Sequence, residues 1–268
     1  MADSDPAVLV DRDTVDPAVA VLTLNRPATY NALSVDLKET LLTAVAGVAG
    51  DESVRAVVLT GSGRAFCVGQ DLGEHAAALR ADAGTALDTV REHYNPLVLA
   101  LSGTPKPVVA AINGPCVGAG LGLALAADLR VAAAGATFGT AFTGIGLSAD
   151  SGLSASLAHA VGVSRATELL LLGERFTAED ARDWGLVRDV VDGPDLLESA
   201  LVLARTLATG PTRAYAEVKS AIRFGAVNEL PAVLEHEADA QVRLATTADH
   251  RGAVEAFVAK RTPTFEGR

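Results

Sequence analysis

Two glycine-rich segments in this 268-residue chain carry the residue types and spacing from which chemistry can be argued. The first, GSGRAFCVGQDL, runs from Gly61 to Leu72; the second, INGPCVGAGLGLALAAD, runs from Ile112 to Asp128. Each follows a β-branched apolar run and leads into small residues, which puts exposed backbone N–H groups at a strand end. Two converging N–H donors can hold a developing oxyanion, such as the enolate of a thioester. Glycine has a plainer use, since it permits tight strand-to-helix turns whatever the chemistry. One carboxylate, Asp150 in GLSADSG, could supply the proton transfer that an enolate needs. It could equally cap a helix beginning near Gly152.

Other candidates have more ordinary explanations. Asp71 follows the first segment and fits a loop brace, and Asp128 fits a local cap or pair. His75, His93, His159, His236 and His250 share no spacing; of these, His93 alone could reach a pocket formed by the middle of the chain. Ser148, Ser151, Ser154 and Ser156 form no nucleophile elbow and read as small packing residues. Cys67 and Cys116 are too few for a disulfide framework and lack metal-ligand spacing, so buried reduced thiols are expected.

Positioning these groups requires an α/β core. Val19 to Leu24, Val54 to Thr60, Val108 to Ile112 and Leu129 to Ala133 read as strands, the second of the type buried on both faces. Ser34 is the expected N-cap of a helix carrying Leu37, Leu41, Leu42 and Val45 at helical spacing. The helix AGLGLALAA should open at Ala119, presenting free N–H groups and a positive dipole end. Glu74 to Ser102 is expected to be helical in its latter part and mobile near Ala81 to Thr85. Thr177 with Asp180 reads as a capping box, and Leu186 to Val191 as a short strand. Three amphipathic helices should follow, starting near Pro194, Pro211 and Glu229. The expected division is an α/β core over residues 1–192 and a helical C-terminal section over 193–268 that packs against a neighbouring subunit.

Composition narrows the function classes. Apolar residues make up 49% of the chain but aromatics only 4%, so Ala, Val and Leu must fill the core. A net charge of −11 argues against nucleic-acid binding. The acidic start MADSDPAVLVDRD has no secretory pattern, and no apolar run reaches transmembrane length. A cytoplasmic protein without membrane partners is the expectation.

Four motifs in order, NRPATYNALS, GRAFCVGQDL, INGPCVGAGLGLALAAD and LLLGERFTAEDARDWGLV, resemble the enoyl-CoA hydratase/isomerase (crotonase) family from about Val19 to the C-terminus. The resemblance implies the crotonase-type spiral of ββα units and an acyl-CoA thioester substrate. It implies no metal, and no cofactor apart from the CoA that the substrate carries. It also implies assembly as a homotrimer or a hexamer of paired trimers. The thioester carbonyl would sit between the N–H groups of Gln70 and Ala119, with Gly118 as the one-position alternative to Ala119. The same resemblance places Arg26, Ala28, Ala65, Phe66, Asp71, Leu72, Phe142 and Lys260 along the substrate, with Lys260 or Arg261 reaching a phosphate, from the same or an adjacent subunit.

The chain departs from the family's hydratases at the acid/base pair. Their two glutamates fall here on Gly122 and Phe142, neither of which transfers protons. Asp150 matches the acidic residue of isomerase members, those acting on ring-1,2-epoxyphenylacetyl-CoA above all, and of dehalogenase members acting on 4-chlorobenzoyl-CoA. The dehalogenase's helper histidine falls near Asn95 and its tryptophan on Phe142, which leaves that equipment incomplete. Burial beside Phe138 and Phe142 should raise the pKa of Asp150. The reading is an isomerase, with hydration through Asp150 alone, a dehalogenase-like enzyme, or a silent CoA-binding protein as alternatives.

Overall fold

A computed structural model describes residues 6–268; the first five residues of the acidic start lie outside the described residues. Six strands form the main sheet: β1 (Val8–Arg12), β2 (Val19–Leu24), β3 (Ala56–Gly61), β4 (Val108–Ile112), β6 (Leu129–Ala133) and β9 (Asp189–Val191). They lie in the order β1-β2-β3-β4-β6-β9, antiparallel at β1–β2 and parallel elsewhere. A second sheet joins β5 (Cys116–Val117), β7 (Thr137–Gly139) and β8 (Phe176–Thr177). The result is the expected mixed α/β core, followed by helices at the C-terminal end.

The apolar runs at β3 and β4 are explained by two cores, one on each face of the sheet. Val57, Leu59, Val108, Ala110 and Ile112 face one core, together with Leu37, Leu41, Val45 and Val48 of helix α1 (Val35–Gly50). Ala56, Val58, Val109 and Ala111 face the other, which α8 (Leu196–Ala208) covers with Leu196, Ala200, Leu201 and Ala204. Alternate residues of one strand therefore serve different neighbours, as a period of two requires. Ser34 caps α1 by accepting from the Leu37 N–H at 3.2 Å. Thr177 and Asp180 form a reciprocal capping box on α7 (Ala178–Asp183).

Several expected boundaries shift. Val54 precedes β3, and Leu186 to Arg188 precede β9. The middle stretch is helical at both ends rather than in its latter part alone. α2 (Leu72–Ala81) opens it, with the Asp71 side chain as its N-cap. A π-helical turn, Val90–Tyr94, then runs into α3 (Asn95–Gly103). α4 (Ala119–Ala126) is buried on nearly every side, as an all-apolar helix must be. α5 (Leu153–Val161) and α6 (Val163–Leu172) follow the Asp150 loop. Beyond α8 come α9 (Thr212–Gly225), α10 (Leu230–Ala245) and a fourth C-terminal helix, α11 (Ala248–Val258), which the sequence reading did not separate. Lys219 of α9 ties this section to the sheet through a half-buried pair with Asp128 at 2.6 Å. No helix among the described residues is long and apolar enough to cross a membrane.

Candidate active site

The two glycine-rich segments meet by backbone pairing. Cys67 and Cys116 bridge in parallel: the Cys67 N–H donates to Pro115 O at 3.1 Å, and the Val117 N–H donates to Cys67 O at 2.9 Å. Their continuations, Gly69–Gln70 and Gly118–Ala119, then open onto a cavity of ≈ 640 Å³. Gly69 has φ +86°, and a Cβ there would stand 3.3 Å from the Ala119 nitrogen. Gly118 has φ 57° and ψ −127°, a conformation essentially reserved for glycine, and from it α4 starts. Among the described residues, neither the Gln70 N–H nor the Ala119 N–H donates to a protein group. The Gly118 N–H is already committed to Gly139 O at 3.0 Å, which removes it as the alternative donor.

Gln70, Leu72, Gly118, Ala119, Phe142 and Asp150 all line this cavity. Its wall also includes Tyr30, Val68, Ile145 and Arg175, which sequence reasoning did not single out. Asp150 is partly buried and accepts a hydrogen bond from Ser151 Oγ at 2.7 Å. Burial raises its pKa above the ordinary carboxylate value, opposed by that hydrogen bond and by the charge of Lys38. Its side chain does not cap α5, whose N-cap is Gly152 with no side-chain hydrogen bond. The capping explanation for Asp150 therefore fails. Phe142 contributes to the surrounding wall, whereas Phe138 stacks on Phe176 at 5.2 Å, away from the cavity lining.

Position 122, on which the resemblance places one hydratase glutamate, is sterically closed. A Cβ on Gly122 would stand 2.7 Å from Ser151 Cβ and 2.9 Å from Ser151 O. Ser151 itself is buried and adopts φ +53°, uncommon for a residue with a side chain.

The remaining expected contacts divide. Arg26 is engaged within the protein: its Nη1 donates to Ala32 O at 2.6 Å and pairs with Asp71 at 2.9 Å. Asp71 also caps α2 by accepting from the Gly73 and Glu74 N–H groups, and the Arg26 guanidinium with these hydrogen bonds holds its pKa low against the effect of burial. Ala28 is exposed in a short 3-10 turn, Pro27–Thr29. Ala65 and Phe66 are fully buried, and their carbonyls accept from Asn31 Nδ2 at 2.8 and 3.2 Å. Any contact they make with a ligand is by backbone. Lys260 follows α11 and is not among the cavity residues. His93 sits beside Thr89 and Glu39, also outside the lining.

The enoyl-CoA hydratase/isomerase family model matches residues 14–268. The chain belongs to that family. Among its relatives is a protein of Rhodobacter capsulatus named a probable enoyl-CoA hydratase, 45% identical over 96% of this chain and 98% of the relative. The 1,2-epoxyphenylacetyl-CoA isomerase of Escherichia coli is 41% identical over 95% of this chain and 97% of its own. A crystal structure of a Mycobacterium abscessus protein assigned to enoyl-CoA hydratase/isomerase superposes with TM-score 0.92 at 54% identity, covering 98% of this chain and 100% of that one. This enoyl-CoA hydratase/isomerase family enzyme acts on an acyl-CoA.

Tyr94 and Lys38 are the neighbours of the site that sequence reasoning missed. A signal existed for Lys38. It stands three, four and seven residues before Leu41, Leu42 and Val45, on the apolar stripe of α1, where a lysine is out of place.

Proposed function

We propose that the enzyme is an acyl-CoA isomerase that works through an enolate. The N–H groups of Gln70 and Ala119 receive the thioester oxygen, and Asp150 takes a proton from one carbon and returns it to another. The reaction conserves atoms and needs no group beyond the CoA of the substrate. The observation that carries this reading is that one cavity contains two unpartnered backbone donors and one carboxylate, while Ser151 leaves no room for a side chain at position 122. A single acid/base can shuttle a proton, whereas water addition is better served by two. The mostly apolar wall, with Val68, Leu72, Phe142 and Ile145, suits an unsaturated or ring-bearing acyl group.

The experiment is a panel of acyl-CoA thioesters incubated in D2O and followed by mass spectrometry. Deuterium uptake beside the thioester with no gain of water supports isomerisation. Net addition of water would instead support the hydratase reading, which the relative at 45% identity motivates. Binding with neither exchange nor formation of an isomeric product, separated by chromatography, would leave a silent CoA-binding protein. We further propose assembly through the C-terminal section, supported by exposed Ile222, Leu230, Phe257 and Val258, with sedimentation velocity as its test.

A further inference from the structure

A buried polar chain adjoins the cavity, and the proton transfer described above does not use it. Lys38 is only 1% exposed. Its Nζ donates to Thr89 Oγ1 at 2.5 Å and lies 4.7 Å from the centre of the Tyr94 ring. Thr89 Oγ1 is 3.1 Å from His93 Nδ1, and His93 Nε2 is 3.5 Å from Glu39 Oε1. At the other end, the Tyr94 hydroxyl donates to Gln70 Oε1. The π-helical turn Val90–Tyr94 is what presents His93 and Tyr94 to α1, and such turns often occur at functional sites.

As a stability device this arrangement is poor. A buried ammonium with one hydroxyl acceptor and a ring face is costly, and an apolar side chain of similar volume would pack as well or better. Burial lowers the Lys38 pKa, opposed by the charges of Glu74, Asp150, Asp71 and Glu39, and the Lys38 charge in turn opposes the rise that burial causes at Asp150. Arg175 lines the same cavity as Asp150, and burial keeps the Tyr94 hydroxyl protonated.

We propose that Lys38 is a positioning residue of this site: buried against the Tyr94 ring, it holds in place the hydroxyl that fixes Gln70 at the oxyanion. The inference rests on the enolate reading above. It runs along one chain of contacts, from the Lys38 ammonium through the Tyr94 ring and hydroxyl to the Gln70 side chain.

The test compares pH profiles of solvent-deuterium exchange for wild type, Lys38→Met, Lys38→Arg and Tyr94→Phe, using an acyl-CoA that the wild type exchanges. Lys38→Met should move the acid limb of the kcat profile to higher pH and lower kcat about tenfold at neutral pH, with KM little changed. Lys38→Arg, which keeps the charge, should hold the limb near its wild-type position. Tyr94→Phe should lower kcat without moving the limb. Should Lys38→Met fail to fold, Lys38→Gln removes the charge while keeping a donor for Thr89 and gives the same reading. An unchanged kcat in the folded Lys38 neutral variants and in Tyr94→Phe would overturn the proposal. Absence of both exchange and an isomeric product in the wild type would overturn the enolate reading instead.

Discussion

A methyl group placed on Gly69 should disable the site while leaving the fold standing. Gly69 has φ +86°, so alanine there incurs backbone strain of about 1–2 kcal/mol. The added Cβ would lie 3.1 Å from Val117 O and 3.3 Å from the Ala119 nitrogen. A thioester oxygen must come within about 2.7–3.1 Å of that nitrogen to be held, so methyl and oxyanion compete for one space. A shift of the loop to relieve the crowding would carry along Gln70, the adjoining residue and the other proposed donor. Loss of one donor lowers kcat by roughly 10²–10³, or about 2.7–4 kcal/mol. Strain and crowding together should lower Tm by several degrees, roughly the effect of 1–2 kcal/mol in a protein of this size. The assay is α-carbon deuterium uptake at saturating acyl-CoA, with calorimetry on the same sample. A Gly69→Ala enzyme with a lowered Tm and an unchanged kcat would refute the placement of the oxyanion.

Asp150→Asn should lower exchange by roughly 10²–10⁴ while acyl-CoA binding, measured by calorimetry, survives. Because burial raises the Asp150 pKa, activity in the wild type should fail on acidification above the ordinary carboxylate range; a kcat limb within the ordinary range would argue against Asp150 as the base. Gly122→Glu should lose roughly 1–3 kcal/mol through overpacking against Ser151 and gain no hydratase activity, measurable by urea denaturation and enoyl-CoA turnover. The Arg205 guanidinium lowers the Asp13 pKa from 3.8 to about 2. That pair's stabilisation is therefore full above the unfolded value and is lost as pH falls through about 2, and Asp13→Asn should remove about 1–2 kcal/mol after solvent screening. Burial pushes the Cys67 thiol up to about 12, so native protein should resist thiol reagents at neutral pH and react only when unfolded.

Strand positions were legible where the chain is apolar on both faces. β2, β4 and β6 occupy Val19–Leu24, Val108–Ile112 and Leu129–Ala133 as read. The missed strands are short or peripheral: β5 and β8 have two residues each, too few for any periodicity to register. The start of α4 at Ala119 was legible because the glycines before it leave few other conformations. α2 was missed because Asp71, which caps its first turn, reads from the sequence as a loop brace, a duty it also has in holding Arg26. The backbone side of the site could thus be read from motif and turn chemistry. Its supporting side was legible only as a lysine on the apolar stripe of α1: the partners of Lys38, which are Thr89 and Tyr94, come from the distant π-turn and its N-cap and reach it only through tertiary packing.

The contact between Gly122 and Ser151 bears on how this enzyme could change its chemistry by descent. A side chain at position 122 has no room while Ser151 keeps its left-handed backbone, because its Cβ would stand 2.7 Å from Ser151 Cβ. A single substitution at position 122 therefore meets a neighbour that must move with it. Substitutions at 122 and 151 are coupled and should not add. On the enolate reading proposed above, that coupling keeps a site with one carboxylate from gaining a second by a single change.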